Sequence, residues 1–320
     1  MSITFGQDPA RWDAFVRRSP QRSAYVTASF LRALKLPFEL VTLEDGNEIV
    51  AGAPVILEED GRARATSVPM TMYQGLLLRD HAEMPLHRRV GYELENTERL
   101  VAAIAERYGS CCLSQSWRFN DIRALSWHNY HAPERGQFSI SVLYTGILDV
   151  GADATFETYL ANVRELRRRE YRKAKARVTI EASRDLDLLE SLYTRTLARQ
   201  GIERLAHDRE LLRCIGEGAL DGGYGELRVA RIAGNPAAAT LFLYDDRSAF
   251  YLLGANDPEY RNTGASTFLM LENIRDARDR GLSEVDFIGV NSPQRGDYKV
   301  SFNAAIRPYY VGRLRAPGTA

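Results

Sequence analysis

Apolar residues recur at helical spacing near the start of the chain. Trp12, Phe15 and Val16 form a stripe in "DPARWDAFVRRSP", and a second such stretch, "SAYVTASFLRALKLP", ends at Pro37. The period then changes to two. "FELVTLED" and "EIVAGAPVILEE" flank Gly46-Asn47 and predict a β-hairpin. "TERLVAAIAERYG" (97–109) predicts an amphipathic helix with a glycine stop, followed by a strand in "SCCLSQS". In the second half the order returns. Helices are predicted in "ATFETYLANVRELRRREYRKAKAR" and "DLDLLESLYTRTLARQG", and three strands in "YGELRVARIAGNPAAATLFLYDDRSAFYLLGAND". A helix "GASTFLMLENIRDARDRG" and a strand "EVDFIGV" follow. The alternation in "DYKVSF" (297–302) predicts a further strand, with Tyr298, Val300 and Phe302 on one face and Lys299 and Ser301 on the other.

Setting "FELVTLEDGNEIVAGAPV" (38–55) under "GELRVARIAGNPAAATLF" (225–242) aligns Glu-Leu starts, Gly-Asn turns and the small residues after them. This is a weak internal repeat of one α/β unit. The aromatic, polar segment 117–150 between the halves is too apolar for a disordered linker and predicts a packed crossing. The expected domains are 1–150 and 151–304, with a C-terminal strand 305–316 available to complete the first.

Composition narrows the function classes. In 320 residues, 42 Lys and Arg balance 42 Asp and Glu, so a nucleic acid or anionic partner has to be held by a local patch. The N-terminus lacks a basic region followed by an apolar core, and no apolar run is long enough to span a bilayer, so a cytoplasmic location is expected. Cys111, Cys112 and Cys214 show no zinc spacing and read as reduced and buried. His128, His131 and His207 are isolated, and no metal is expected.

The element order of 154–290 resembles the GNAT N-acyltransferase core, and a duplicated pair of such cores resembles the FemABX transferases. "VPMTMYQGLLL" (68–78), "NDIRALSWHNY…LYTGILDV", "YLLGANDPEYRNTGASTFLMLENIRDARDRGLSEVDFIGV" and "DYKVSFNA" each look like segments of that family, in the same order. Tyr298, Ser301 and Ala124 depart from its usual Phe, Gly and Pro. The resemblance implies an α/β fold of tandem GNAT-like domains with a central cleft, and an acyltransferase that forms an amide bond.

Such chemistry needs an amine, an activated ester or thioester, and donors for the oxyanion, without metal or covalent enzyme intermediate. The resemblance puts Lys299 near the acyl carbonyl or the phosphate end of the donor. Without it, a solvated edge lysine is the plainer reading. Asp286, an acid within an apolar strand, can orient an amine or Lys299, or cap a turn. Tyr298 joins these two as a catalytic candidate. Tyr251, Phe302 and Tyr73 are candidate substrate contacts. "EYRNTGAS" (259–266), with Arg261 and Gly264, partly fits the GNAT loop that offers backbone N–H groups at a helix start to the CoA pyrophosphate. "RELRRREYRKAKAR" (164–177) makes a basic surface in which Arg168 and Arg172 are candidate phosphate contacts. Three functions follow. The first is FemX-like transfer from aminoacyl-tRNA to an amine on a peptide, amino sugar or natural product. The second is acyl-CoA-dependent N-acylation of an amine, as in surface-polysaccharide assembly. The third is a non-catalytic binding module. No cofactor beyond the donor substrate is expected.

Overall fold

The computed structural model describes residues 1–199, 201–202 and 206–315. The chain divides into two compact units: residues 1–143 with 308–320, and residues 144–307.

In the first unit, β1 (Ser2–Phe5), β2 (Phe38–Asp45), β3 (Glu48–Ile56) and β4 (Leu77–Leu78) form an antiparallel sheet in that order. The β2–β3 hairpin turns at Gly46 (φ 59°), where a side chain would be strained. Helix α1 (Pro9–Arg18) starts at a proline behind the capping carboxylate of Asp8. Its Trp12 is fully buried, donates from Nε1 to the Val26 carbonyl at 2.7 Å, and packs so closely over Gly52 that a Cβ there would lie 2.7 Å from its ring. Helix α2 (Ala28–Ala33) follows. Helix α3 (Leu86–Tyr108) lays Leu100, Val101 and Ile104 on the sheet core and ends at Gly109 (φ 68°). It begins eleven residues before the apolar stretch read from the sequence, and its first turns leave Leu86 and Val90 exposed. Strand β5 (Cys111–Ser114), the short helix α4 (Arg123–Ser126) and the first part of β6 (Phe138–Asp149) complete the unit with the end of β12 (Ala305–Leu314), whose Val311–Leu314 pair with β5.

In the second unit, α5 (Phe156–Asn162) and α6 (Glu165–Ala174) precede β7 (Val178–Ser183), and α7 (Leu186–Ala198) and α8 (Ala206–Asp221) precede β8 (Gly225–Ile232). Then come β9 (Asn235–Tyr244), β10 (Ser248–Asn256), α9 (Ala265–Asp279), β11 (Glu284–Asp286) and α10 (Pro293–Val300). The strand order is β6-β11-β10-β9-β8-β7, antiparallel except for the parallel pair β10–β11. Strand β9 is buried from Ala237 to Leu243 because both faces are covered. On one, Asn273 of α9 donates to Thr240 at 2.9 Å, and α7 contacts β9 and β10 on the other.

The structure revises three expectations. The single helix expected over 154–177 breaks at Val163 (ψ 144°), where the next amide, Arg164 N–H, donates to the Ser301 carbonyl at 3.1 Å. Strand β7 follows the charged run, in a segment where no element was expected. "DYKVSF" is not a strand: Asp297–Val300 lie in α10, which starts at Pro293. Tyr298 and Phe302 are four residues apart, which suits one helical face as well as alternation does, and their rings meet edge to face at 5.0 Å. Among the described residues, no helix is long and apolar enough to cross a membrane.

The β9–β10 turn holds a titratable group. Asp245 Oδ1 accepts from the Arg247 and Ser248 amides at 2.8 and 2.6 Å, while Oδ2 is buried with no hydrogen-bond partner among the described residues. Burial pushes this carboxyl up to about 6, against about 3.9 in an unfolded chain. Between those values the folded state holds more protons, so this group's contribution to stability falls as pH rises through the window. Asp245→Asn, which keeps the Oδ1 acceptor, should denature at higher urea than wild type above pH 6 and match it near pH 3.5. Equal midpoints at both pH values would refute this.

Candidate active site

Strands β10 and β11 pair over only three residues, Ser248–Phe250 with Glu284–Asp286. Beyond them β10 stays with β9 as far as Asn256, through a bulge at Tyr251–Leu253, and leaves β11. A cavity of about 510 Å³ lies where the strands part. Its floor is Tyr251–Asn256 of β10 with Ala238–Thr240 of β9, and Tyr193, Thr196 and Arg199 of α7 form one side. The start of α9 (Gly264, Ser266, Thr267), Arg167 and Glu170 of α6, and Tyr298 and Lys299 of α10 form the other.

Helix α6 is bolted to α10 and α9 by ion pairs and hydrogen bonds. Arg164 grips Asp297 through both guanidinium nitrogens at 2.7 and 2.8 Å, which holds that carboxyl below its ordinary range. Arg167 donates to Ser301 Oγ at 2.9 Å and to Glu170 at 2.7 Å, and its guanidinium lies 4.8 Å over the Tyr298 ring. Glu170 also accepts from Thr267 at 2.6 Å. Tyr298 Oη donates to the Ser266 carbonyl at 3.3 Å, and burial raises its phenol well above the ordinary value. Tyr251 is shifted the same way by burial. Its hydroxyl lies over Gly254, where a Cβ would have no room.

The fork itself contains backbone strain. Ile288, two residues past β11, has φ 43°, which costs a β-branched residue about 1–2 kcal/mol. Both of its flanking peptides are held. Its N–H donates to Asp286 Oδ1 at 2.7 Å, and Lys299 Nζ donates to the Ile288 and Gly289 carbonyls, both at 2.9 Å.

Of the residues singled out from the sequence, Lys299, Tyr298, Tyr251, Arg261 and Gly264 all line the cavity. The Lys299 ammonium, read as a group for the acyl carbonyl, is turned onto two backbone carbonyls and stands 5.5 Å from the Tyr251 ring centroid. Asp286 is fully buried, is absent from the cavity wall, and accepts from Thr145 at 2.5 Å as well as from Ile288, which is the geometry of a turn cap. Phe302 is corrected as a substrate contact. It is fully buried and stacked on Phe287 with ring centroids 5.8 Å apart. Tyr73 is corrected likewise: it is 2% exposed in the core of the first unit, edge-on to Tyr25 and Tyr309. Arg168 and Arg172 are not in the wall; Arg172 is exposed and donates back to the Arg168 carbonyl. Arg167 and Glu170, missed from the sequence, take that place, because α6 turns 167, 170, 171 and 174 inward. The signal was the spacing of Tyr171 and Ala174, the two buried residues of the helix. The His207 side chain lies outside the described residues.

Residues 160–300 match the family model described as Acetyltransferase (GNAT) domain. The second unit carries a GNAT acyltransferase domain. The crystal structure of FemX overlays the chain with a TM-score of 0.71 at 13% identity, over 97% of each chain. A tandem GNAT protein from the clavulanic acid biosynthesis pathway does so with 0.54 at 12% identity, over 100% of both chains. The C-terminal domain of a putative lysylphosphatidylglycerol synthetase from Agrobacterium fabrum gives 0.53 at 14% identity, covering 95% of this chain and 91% of that one. At these identities the likeness is one of fold, and the fold is a duplicated GNAT fold of the FemABX type. No curated protein matches the sequence.

In the GNAT domain Gly264 serves the packing of α9 on α6. It has φ 85°, and a Cβ there would lie 2.7 Å from the Glu170 carbonyl oxygen. Gly264→Ala should cost about 1–3 kcal/mol of stability and disturb the wall between Glu170 and Thr267. Chemical denaturation gives the first quantity, and an unchanged midpoint would show that α6 and α9 separate without cost.

Proposed function

We propose that the protein transfers an aminoacyl group from aminoacyl-tRNA to an amine on a peptide, amino sugar or natural-product acceptor. The observation that carries this reading is the charge around the cavity. Among the described residues, Arg167, Arg199, Arg261 and Lys299 line it against one carboxylate, Glu170. From Arg167 the basic surface runs outward along α6 through exposed Arg169, Arg172 and Lys173. A row of exposed cations leading to a pocket suits a polyanion whose reactive end alone enters.

The amine attacks the ester carbonyl, the new C–N bond forms, and the ester C–O bond breaks. In this reading Glu170 takes the proton the amine loses. Tyr298, kept protonated by burial, gives one to the leaving oxygen in the same reading. The donor arrives activated, so the protein's task is orientation and charge stabilisation.

A second reading has its own support. Arg261, Gly264 and Ser266 lie in the cavity wall at the start of α9, where the first-turn N–H groups have no helical partners. That arrangement suits the pyrophosphate of an acyl-CoA.

Incubating the protein with labelled aminoacyl-tRNA or labelled acyl-CoA and a panel of amines separates the two readings. Label transfer from tRNA supports the first, and transfer from CoA alone replaces it with the second. With tRNA as donor, Arg169→Glu with Arg172→Glu should weaken donor binding and reduce its log–log salt slope by roughly 0.7 per lost contact. An unchanged slope would leave α6 as a solvated face. Tyr298→Phe keeps the ring against Phe302 and beneath Arg167. It should lower kcat about 100-fold at unchanged KM, and wild-type kcat would remove Tyr298 from the proton path.

A further inference from the structure

We propose that Asp286 and Lys299 act together as positioning residues. They hold Ile288 in its left-handed conformation and so keep the fork between β10 and β11 open for the donor's acyl end. The inference rests on the acyl-transfer reading of the cavity, but its structural half can be tested without it.

After Asp286 the chain stays against β6: Phe287 N–H donates to the Gly146 carbonyl at 2.8 Å and Val290 N–H to the Tyr144 carbonyl at 2.9 Å. Three steps on this strand therefore match two on β6, and the surplus residue makes a bulge at Ile288 and Gly289. Glycine normally takes the left-handed position of such a bulge. Here a β-branched residue takes it, and Ile288 is the one β-branched residue at positive φ among the described residues. The conformation persists because its surroundings over-determine it. Asp286 grips the amide on one side, Lys299 grips the carbonyls on the other, and Asn291 exchanges two hydrogen bonds with the Tyr144 backbone just beyond (2.8 and 3.2 Å).

The consequence falls on β10. The last paired residues are Phe250 and Asp286, and the next β10 residue, Tyr251, already lines the cavity. The Ile288 and Gly289 carbonyls, which no β10 residue pairs with, are satisfied by the Lys299 ammonium. An Ile288 relaxed to extended φ frees this segment to go on pairing with β10 and close the fork beside Tyr251. The open state then becomes a fraction of the population, and apparent donor affinity falls by that fraction.

The test is a double-mutant cycle. Asp286→Ala, which removes the acceptor of the Ile288 amide, and Lys299→Met should each raise the donor KM about tenfold, with kcat at saturation kept within about threefold. Ile288→Gly occupies the left-handed region without strain. Placed in either background, it should bring KM back to within about threefold of its own value as a single variant. A catalytic Lys299 or Asp286 would instead lose kcat, and glycine would not rescue it. A merely structural role would lower the melting temperature with no glycine-dependent change in KM. Either result overturns the proposal. Thermal unfolding of the same proteins reads the coupling independently of donor identity: the loss in Tm from Asp286→Ala should be smaller in the Ile288→Gly background than with Ile288 in place. If neither donor is used but that coupling appears, the functional reading fails and the clamp stands. If transfer occurs but the effects at 286 and 288 simply add, the clamp fails. Should Asp286→Ala not fold, the Lys299→Met arm decides alone.

Discussion

A buried peptide group has to find a partner, and the second unit is organised around the place where two neighbouring strands stop supplying one another. Parallel β10 and β11 exchange hydrogen bonds over three residue pairs and then part. Each strand finds partners elsewhere: β10 with β9 as far as Asn256, and the chain after β11 with β6 and with the Lys299 ammonium. The gap left between them is the cavity. Its position thus follows from hydrogen-bond satisfaction as directly as any strand does, and α10 exists in this fold to bring Lys299 and Tyr298 to the gap.

Helix α6 shows how one run of charges divides its labour. Three groups at or near its start tie it to its neighbours: Arg164 to Asp297, Arg167 to Ser301 and Glu170, and Glu170 to Thr267. These contacts join α6 to α10 and α9 at the cavity wall. The exposed Arg164–Asp297 pair contributes little stability by itself. Its use is register, since a bidentate guanidinium fixes angle as well as distance. The remaining cations, Arg169, Arg172 and Lys173, stay exposed and set the field at the cavity mouth.

Hairpins, long amphipathic helices and the duplicated GNAT fold were legible because they rest on periodicity and turn chemistry, which are local. Gly46-Asn47 and Gly234-Asn235 mark hairpins whether or not the rest of the chain is known. The residues of the fork were legible by type and less so by role. Lys299, Tyr298 and Tyr251 were found, but the partners of Lys299 are carbonyls eleven and ten residues away, and carbonyls carry no signature in a sequence. Phe302 and Tyr73 were misread because an aromatic residue looks the same at a pocket and in a core; only burial separates them. The swap of Arg168 for Arg167 has the same cause, since in a run of adjacent arginines the helical face that turns inward depends on where the helix starts. Here that start is set by the distant Ser301 carbonyl.

The two halves also show why only one of them carries this cavity. Both hairpins carry small residues in the strand after the turn, "AGAPV" (51–55) in the first and "PAAAT" (236–240) in the second. Small side chains on a sheet leave volume that a helix has to fill or a ligand can occupy. In the first unit the volume is filled: Trp12 lies so close over Gly52 that no Cβ fits between them, and its indole N–H is satisfied by Val26. In the second unit Ala238, Ala239 and Thr240 face the cavity, and no aromatic residue of α9 takes the place of Trp12, since α9 begins there with Gly264, Ala265 and Ser266. A glycine and two small residues at a helix start let the backbone approach without plugging the space.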